Sequence, residues 1–280
     1  MALIQNQQLL HTKCILAESP HLEFSEEFAL SKSMVNRFDE VVSRFPNNIA
    51  LKSPELAVSY RQLDKASNAV AQSLLKEKHR HSGIIGVLFG HSPQSFVANI
   101  GVLKAGFVRA DLNVSFPISR LQTIIKHSGI RCILTRRLHS ELAKQLADQH
   151  ILVIDIDALG NEERYEPPGI RALPTDLTSV NFTSGSTGDP KKSFKNHRTE
   201  MHSCMRVSNS IGLSSKDRML YPRSSSVIPF HAMLHGACYY PYDLQANGDF
   251  GELANWIKKE SITIFRAPVS IFRALANSLG

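Results

Sequence analysis

Paired cysteines, long apolar runs and a basic leader with an apolar core are all missing from this 280-residue chain, and each absence removes a class of function. The four cysteines, Cys14, Cys132, Cys204 and Cys238, include no C-x-x-C pair. Neither a zinc knuckle nor a redox dithiol is indicated, and all four read as buried or half-buried thiols. No stretch approaches the roughly 20 consecutive apolar residues of a membrane helix, and the first residues are unlike a signal peptide, so a cytoplasmic protein with no membrane span is expected. There is a single tryptophan, Trp256, read as a helix residue facing a core. What is there, 42% hydrophobic and 20% charged residues, is the profile of a globular chain long enough for one large or two modest cores.

Thirty-two Lys and Arg against 25 Asp and Glu leave a formal charge of +7, and the excess is uneven. Between residues 191 and 223 lie Lys191, Lys192, Lys195, Arg198, Arg206, Lys216, Arg218 and Arg223, against Glu200 and Asp217. Such a cluster implies an anionic ligand nearby or a solvated basic face. No aromatic-interleaved or helix-turn-helix pattern accompanies it, so nucleic acid is not the expected partner.

Residues 1–33 show no sustained period and read as a loosely attached leader, with the domain proper over 34–280. Met34, Phe38, Val41, Val42 and Phe45 recur at three and four and predict a helix ending before Pro46. Two short strand-like runs flank Pro54 and Glu55 as a hairpin, and Leu63, Ala66, Ala69, Val70, Leu74 and Leu75 make the apolar face of a second helix. Residues 83–90 form a continuous apolar run bounded by glycines, the signature of a strand buried on both faces. Helices over 93–105, 117–127 and 140–149 then alternate with strands over 130–135 and 151–155. The alternation predicts an α/β fold, a mostly parallel sheet with helices on both faces.

The most informative stretch comes after Val180. Thr183, Ser184, Gly185, Ser186, Thr187, Gly188 and Lys191 spell T-S-G-S-T-G-x-P-K, four hydroxyls, two glycines and a lysine within nine residues. Glycine lets consecutive backbone N–H groups turn toward an anion. Hydroxyls and a lysine add donors for phosphate oxygens, each charge-assisted bond being worth about 1.5–3 kcal/mol. A P-loop, G-x-x-x-x-G-K-[ST], fails on spacing, because Pro190 stands five residues after Gly185 and no glycine precedes either lysine. The expected local structure is a strand end over 180–183, an exposed loop over 184–190, then a second strand running into a helix near Arg198. His197, six residues past Lys191, is a candidate for touching nucleotide. His231 and His235, four apart, lack an evident third ligand and read as ordinary histidines rather than a metal pair.

With this loop the chain resembles the adenylate-forming superfamily of acyl-CoA synthetases, luciferases and nonribosomal peptide synthetase adenylation domains, whose phosphate loop reads T-S-G-[ST]-T-G-x-P-K-G. The segment from Leu103 to Leu121 is similar to that family's L-K-A-G-x-x-x-x-P-L-D-x-x-x-P-x-x-R-L, and Val58-Ser-Tyr-Arg-Gln-Leu63 to its T-Y-x-E-L. The residues from Asn255 to Phe272 resemble its helix and strand ahead of the active-site strands. The resemblance runs over about 34–280 and implies the N-terminal part of that fold. It implies ATP and Mg2+ as cofactors, with Thr183, Ser184, Gly185, Ser186, Thr187, Gly188 and Lys191 on the phosphates and Thr187 nearest the metal. The implied reaction is ATP-dependent activation of a small-molecule carboxylic acid as acyl-AMP, and then transfer to a thiol, coenzyme A or a carrier-protein phosphopantetheine.

The chain also departs from the family pattern. Lys192 replaces the glycine after the loop lysine, and Ala110 replaces a proline. Counting back from Gly236, Arg223 falls where amino-acid-activating members carry an acid for the α-ammonium group, so an acyl, aryl or hydroxy acid is expected. Family members run to about twice this length, and their adenine, ribose and metal contacts and catalytic lysine belong to the portion of the fold beyond residue 280. A truncated or split enzyme, inactive by itself, is therefore expected, with a separate chain carrying the missing half as one option. The alternative is a non-catalytic remnant that binds nucleotide or a partner.

Overall fold

The computed structural model describes residues 31–77, 83–160, 166–183, 191–223, 225, 227–244 and 248–279. The leader up to residue 30, Cys14 and the loop residues 184–190 lie outside the described residues.

Helix α1, Met34–Arg44, starts where Ser33 caps it. The Ser33 hydroxyl accepts from the Asn36 amide at 3.1 Å while the Asn36 side chain accepts from the Ser33 amide at 3.2 Å, so two end donors are satisfied reciprocally. Its face of Met34, Phe38 and Val41 is buried as the spacing predicts. Strands β1, Ile49–Lys52, and β2, Ala57–Ser59, form the expected antiparallel hairpin. Helix α2, Tyr60–Lys76, comes next, with Ser59 and Gln62 as a second capping box.

Beyond it lie β3 (Ile84–Phe89), α3 (Pro93–Lys104), β4 (Val108–Asn113), α4 (Ile118–Ser128), β5 (Cys132–Thr135), α5 (Ser140–Leu146) and β6 (Leu152–Asp155). Strands β7, Leu177–Thr183, and β8, Lys191–Asn196, lead into α6, His197–Ile211. The remaining elements are β9 (Arg218–Tyr221), α7 (Ile228–Met233), β10 (Cys238–Pro241), α8 (Phe250–Lys259), β11 (Ile264–Phe265) and α9 (Val269–Leu279).

The strands divide between two sheets rather than one. The first has the order β6-β5-β3-β4-β7-β8, parallel except for β7 against β8. The second has the order β11-β9-β10-β1-β2, parallel except for the β1–β2 hairpin. Periodicity predicts strands but not which strands share hydrogen bonds, and the closing strands β9 and β10 are only four residues each.

Strand β3 is buried on both faces. Ile85, Val87 and Phe89 join Val70, Leu74, Val102 and Leu134 on one side, and Leu88 joins Leu112, Leu121, Ile133 and Val180 on the other. A third core of Met34, Phe38, Leu51, Tyr60, Phe96, Met201, Met219 and Tyr239 joins α1, α2, α3 and α6 to the second sheet. Tyr60 fastens that junction by donating to the Ala237 carbonyl at 2.7 Å. Trp256 does face a core: it is 9% exposed and meets Tyr240 edge-on with ring centroids 6.3 Å apart.

Strand β4 was not legible as a strand. Its sequence, Val-Arg-Ala-Asp-Leu-Asn, breaks the apolar run with two charges, yet it lies between β3 and β7 inside the first sheet. Arg109 is fully buried there.

Candidate functional site

The phosphate-loop motif sits on a hairpin whose arms are well anchored. Strands β7 and β8 pair antiparallel with Thr183 opposite Lys191, Phe182 opposite Lys192 and Asn181 opposite Ser193. The two residues that bracket 184–190 are thus cross-strand neighbours. Of the expected phosphate ligands, Thr183 ends β7 and Lys191 begins β8 as an exposed residue. Ser184, Gly185, Ser186, Thr187 and Gly188 lie outside the described residues, and so does the side chain of Thr183.

Strand β7 is held from its other edge by β4, with Arg109 opposite Ser179 and Ala110 opposite Val180. Beneath this pairing lies a charged cluster. One Arg109 terminal nitrogen donates to both Glu200 carboxylate oxygens, at 3.0 and 2.8 Å, and both side chains are wholly buried. Glu200 also accepts from the Thr178 hydroxyl at 3.1 Å and the Ser179 hydroxyl at 3.0 Å. The Arg109 guanidinium lies over the Phe230 ring, 4.7 Å from its centroid. Burial pushes the Glu200 carboxyl up, but the Arg109 charge and the hydrogen bonds outweigh it and hold the pKa below the usual carboxylate value. The cluster therefore ties β4, β7 and the first turn of α6 together. Sequence reading missed it: Glu200 counted only as a minority acid in a basic stretch, and the one signal was a charge inside an otherwise apolar segment.

Helix α6 begins at the exit of β8. The Asn196 side chain accepts from the Thr199 amide at 2.9 Å and its own amide donates to the Thr199 hydroxyl at 3.2 Å. His197, a candidate nucleotide contact, is instead a core residue. It is 2% exposed, and its Nδ1 accepts from the Met34 amide at 3.2 Å. Burial lowers its pKa to about 4, so it is neutral at pH 7. The basic excess is mostly a solvent-facing surface: Lys191, Lys192, Arg198, Arg206, Lys216, Arg218 and Arg223 are exposed.

His231 and His235 are both buried, and no group of three metal-ligating side chains occurs among the described residues. The His235 Nδ1 donates to the His231 carbonyl at 2.8 Å. His231 Nδ1 lies 3.0 Å from a terminal nitrogen of Arg266, which stands just past β11. Because a guanidinium only donates, Nδ1 is the acceptor and the ring is neutral. Burial, with Arg266 beside it, lowers the His231 pKa to about 4.

A cavity of about 140 Å3 opens at the carboxyl ends of β3 and β4, lined among others by Phe89, Asn99, Asp111, Asn113, Phe116 and Ser225. The carboxyl ends of parallel strands are where open α/β sheets bind ligands. No helix among the described residues is long and apolar enough to cross a membrane.

Comparison with known proteins gives a consistent assignment. The chain is similar to tyrocidine synthase 1 of Brevibacillus parabrevis, 28% identical over 250 residues that make up 86% of this chain and 23% of that protein. It is also similar to the nonribosomal peptide synthetase kk1B of Curvularia clavata, 31% identical over 246 residues, 85% of this chain and 2% of the relative. The chain thus spans less than a quarter of the length of either. Its fold is that of the nonribosomal peptide synthetase FmoA3 in an α-methyl-L-serine-AMP bound form, with a TM-score of 0.78 and 20% identity over 89% of this chain and 28% of that one. Residues 38–280 match the family described as AMP-binding enzyme, and the chain belongs to that family.

Proposed function

We propose that this chain carries the phosphate-binding part of an enzyme that activates a carboxylic acid as its acyl-AMP. The observation that carries this reading is the pairing of Thr183 with Lys191 across the β7–β8 hairpin, with the T-S-G-S-T-G-x-P-K motif between them, in a member of the AMP-binding enzyme family. The donor set of hydroxyls, glycine amides and a lysine suits the phosphate oxygens of ATP. Thr183, Ser184, Gly185, Ser186, Thr187, Gly188 and Lys191 would hold those oxygens, with Thr187 as the residue the family motif assigns to the magnesium ion. Mg2+ supplies neutralisation of the phosphate charge. A carboxylate oxygen of the acid bonds to the α-phosphorus and pyrophosphate leaves. A thiol, of coenzyme A or of a carrier protein, then takes the acyl group and AMP leaves. The work of the residues present is positioning and charge stabilisation.

The acid is an acyl, aryl or hydroxy acid. Arg223 is exposed two residues beyond β9; the count back from Gly236 matches it to the acid of amino-acid-activating members, and a cation there would repel an α-ammonium group. A second reading, activation of an amino acid, takes support from the amino-acyl adenylate named for FmoA3.

Titration calorimetry of the 280-residue chain with Mg-ATP tests the assignment. Binding is expected, and Lys191→Ala should weaken it by about tenfold, the loss of one charge-assisted bond. Equal affinity in the two proteins rules the loop out as the phosphate site.

A further inference from the structure

Arg266 directly follows strand β11. Its amide donates to the Leu220 carbonyl at 3.0 Å, which continues the β11–β9 pairing by one residue and fixes its main chain at the carboxyl edge of the second sheet. Its half-buried guanidinium is held on one side by His231 Nδ1 at 3.0 Å, on a ring that is itself 2% exposed. His231 is neutral, so this contact orients the guanidinium without cancelling its charge. Among the described residues no carboxylate bonds to Arg266, although the buried cations Arg109, Lys104 and Arg37 each have one. Strand β9 lies beside β11, and Arg223 stands two residues past its end, so a second cation extends from the same edge. An oriented, uncompensated guanidinium at the carboxyl ends of parallel strands matches the fork geometry of a carboxylate.

We propose that Arg266, positioned by His231 and supported by Arg223, is the receptor for a second carboxylate on the acid, so that the chain takes a dicarboxylic acid. This deepens the acid-activation reading and rests on it. The carboxylate to be activated and the carboxylate that is recognised are then different groups, and the second confers selectivity over monoacids of equal length.

The probes are glutarate and its monoacid counterpart valerate, titrated into the 280-residue chain by calorimetry. Glutarate should bind about tenfold more tightly, the effect of one charge-assisted bidentate contact. Arg266→Gln should abolish that preference while leaving valerate unchanged. Arg266→Lys, which keeps the charge but loses the fork, should retain part of it, and circular dichroism melting identifies a variant that fails to fold. Equal affinities in the native chain, or a preference that survives both substitutions, overturns the proposal. So does inorganic phosphate binding at Arg266 more tightly than glutarate. Mg-ATP titration on the same preparation reads the activation chemistry separately: ATP binding without glutarate preference sinks only the receptor. Glutarate preference without ATP binding keeps the receptor and sinks the acid-activation reading.

Discussion

Glu200 shows how much one side chain can decide. Fully buried, it accepts from Arg109, Thr178 and Ser179, so removing its charge leaves a guanidinium stranded in the core. Glu200→Gln should destabilise the protein by about 3–5 kcal/mol, measured by urea unfolding, because breaking one partner of a buried pair leaves an uncompensated charge. A loss under about 1 kcal/mol would show that the pair carries little. The pH dependence has a definite direction. The folded pKa of Glu200 lies below its unfolded value, so the stability it contributes is complete above the unfolded value and is lost as pH falls through the folded one. Glu200→Gln should therefore lose that part of the acid decline. None of this was legible in the chain, since the two partners are 91 residues apart and each charge alone reads as a solvated surface group.

At the scale of elements, local signals carried further. The Asn196–Thr199 capping box was not read from the sequence, yet it places the start of α6 directly after β8. Asn196→Ala should cost about 1 kcal/mol in unfolding free energy, and no change would mean that β8 alone anchors the helix. Helices α2 and α3 meet at Gly101, where an added Cβ would lie 2.6 Å from two Val70 side-chain atoms and 2.9 Å from the Ser67 carbonyl. Gly101→Ala should lower stability by about 1–3 kcal/mol, seen as a lower melting temperature, despite alanine's better helix propensity. The hairpin at Pro54, the strand over 83–90 and the strands flanking the phosphate-loop motif were readable because each has a strong period or turn signal. Strands β4, β9 and β10 were not: β4 carries Arg109 and Asp111, β9 opens on Arg218 and β10 closes on Pro241.

Across the whole molecule, three histidines share one fate. Burial lowers the pKa values of His91, His197 and His231 to about 4, against an unfolded value near 6.5. The unfolded chain binds these protons first, so stability should fall as pH drops from about 6.5 through about 4, and Asp39, raised by burial to about 6, offsets about one of the three protons. Unfolding free energy measured across that window should decline with a net slope of up to about two protons, and His197→Gln should remove about one. A flat profile would contradict the burial of these rings. The chain by itself determined the alternating helices and strands, the hairpin signals and the T-S-G-S-T-G-x-P-K motif with its expected anion chemistry. These depend on neighbours within a few residues, where backbone sterics and side-chain period act. Only the tertiary structure decided that the strands form two sheets, that Arg109 and Glu200 meet under β7, that His197 belongs to the core and that Arg266 rests on a neutral histidine. Those outcomes depend on which distant groups lose water together, and burial sets both the partner and the charge of each.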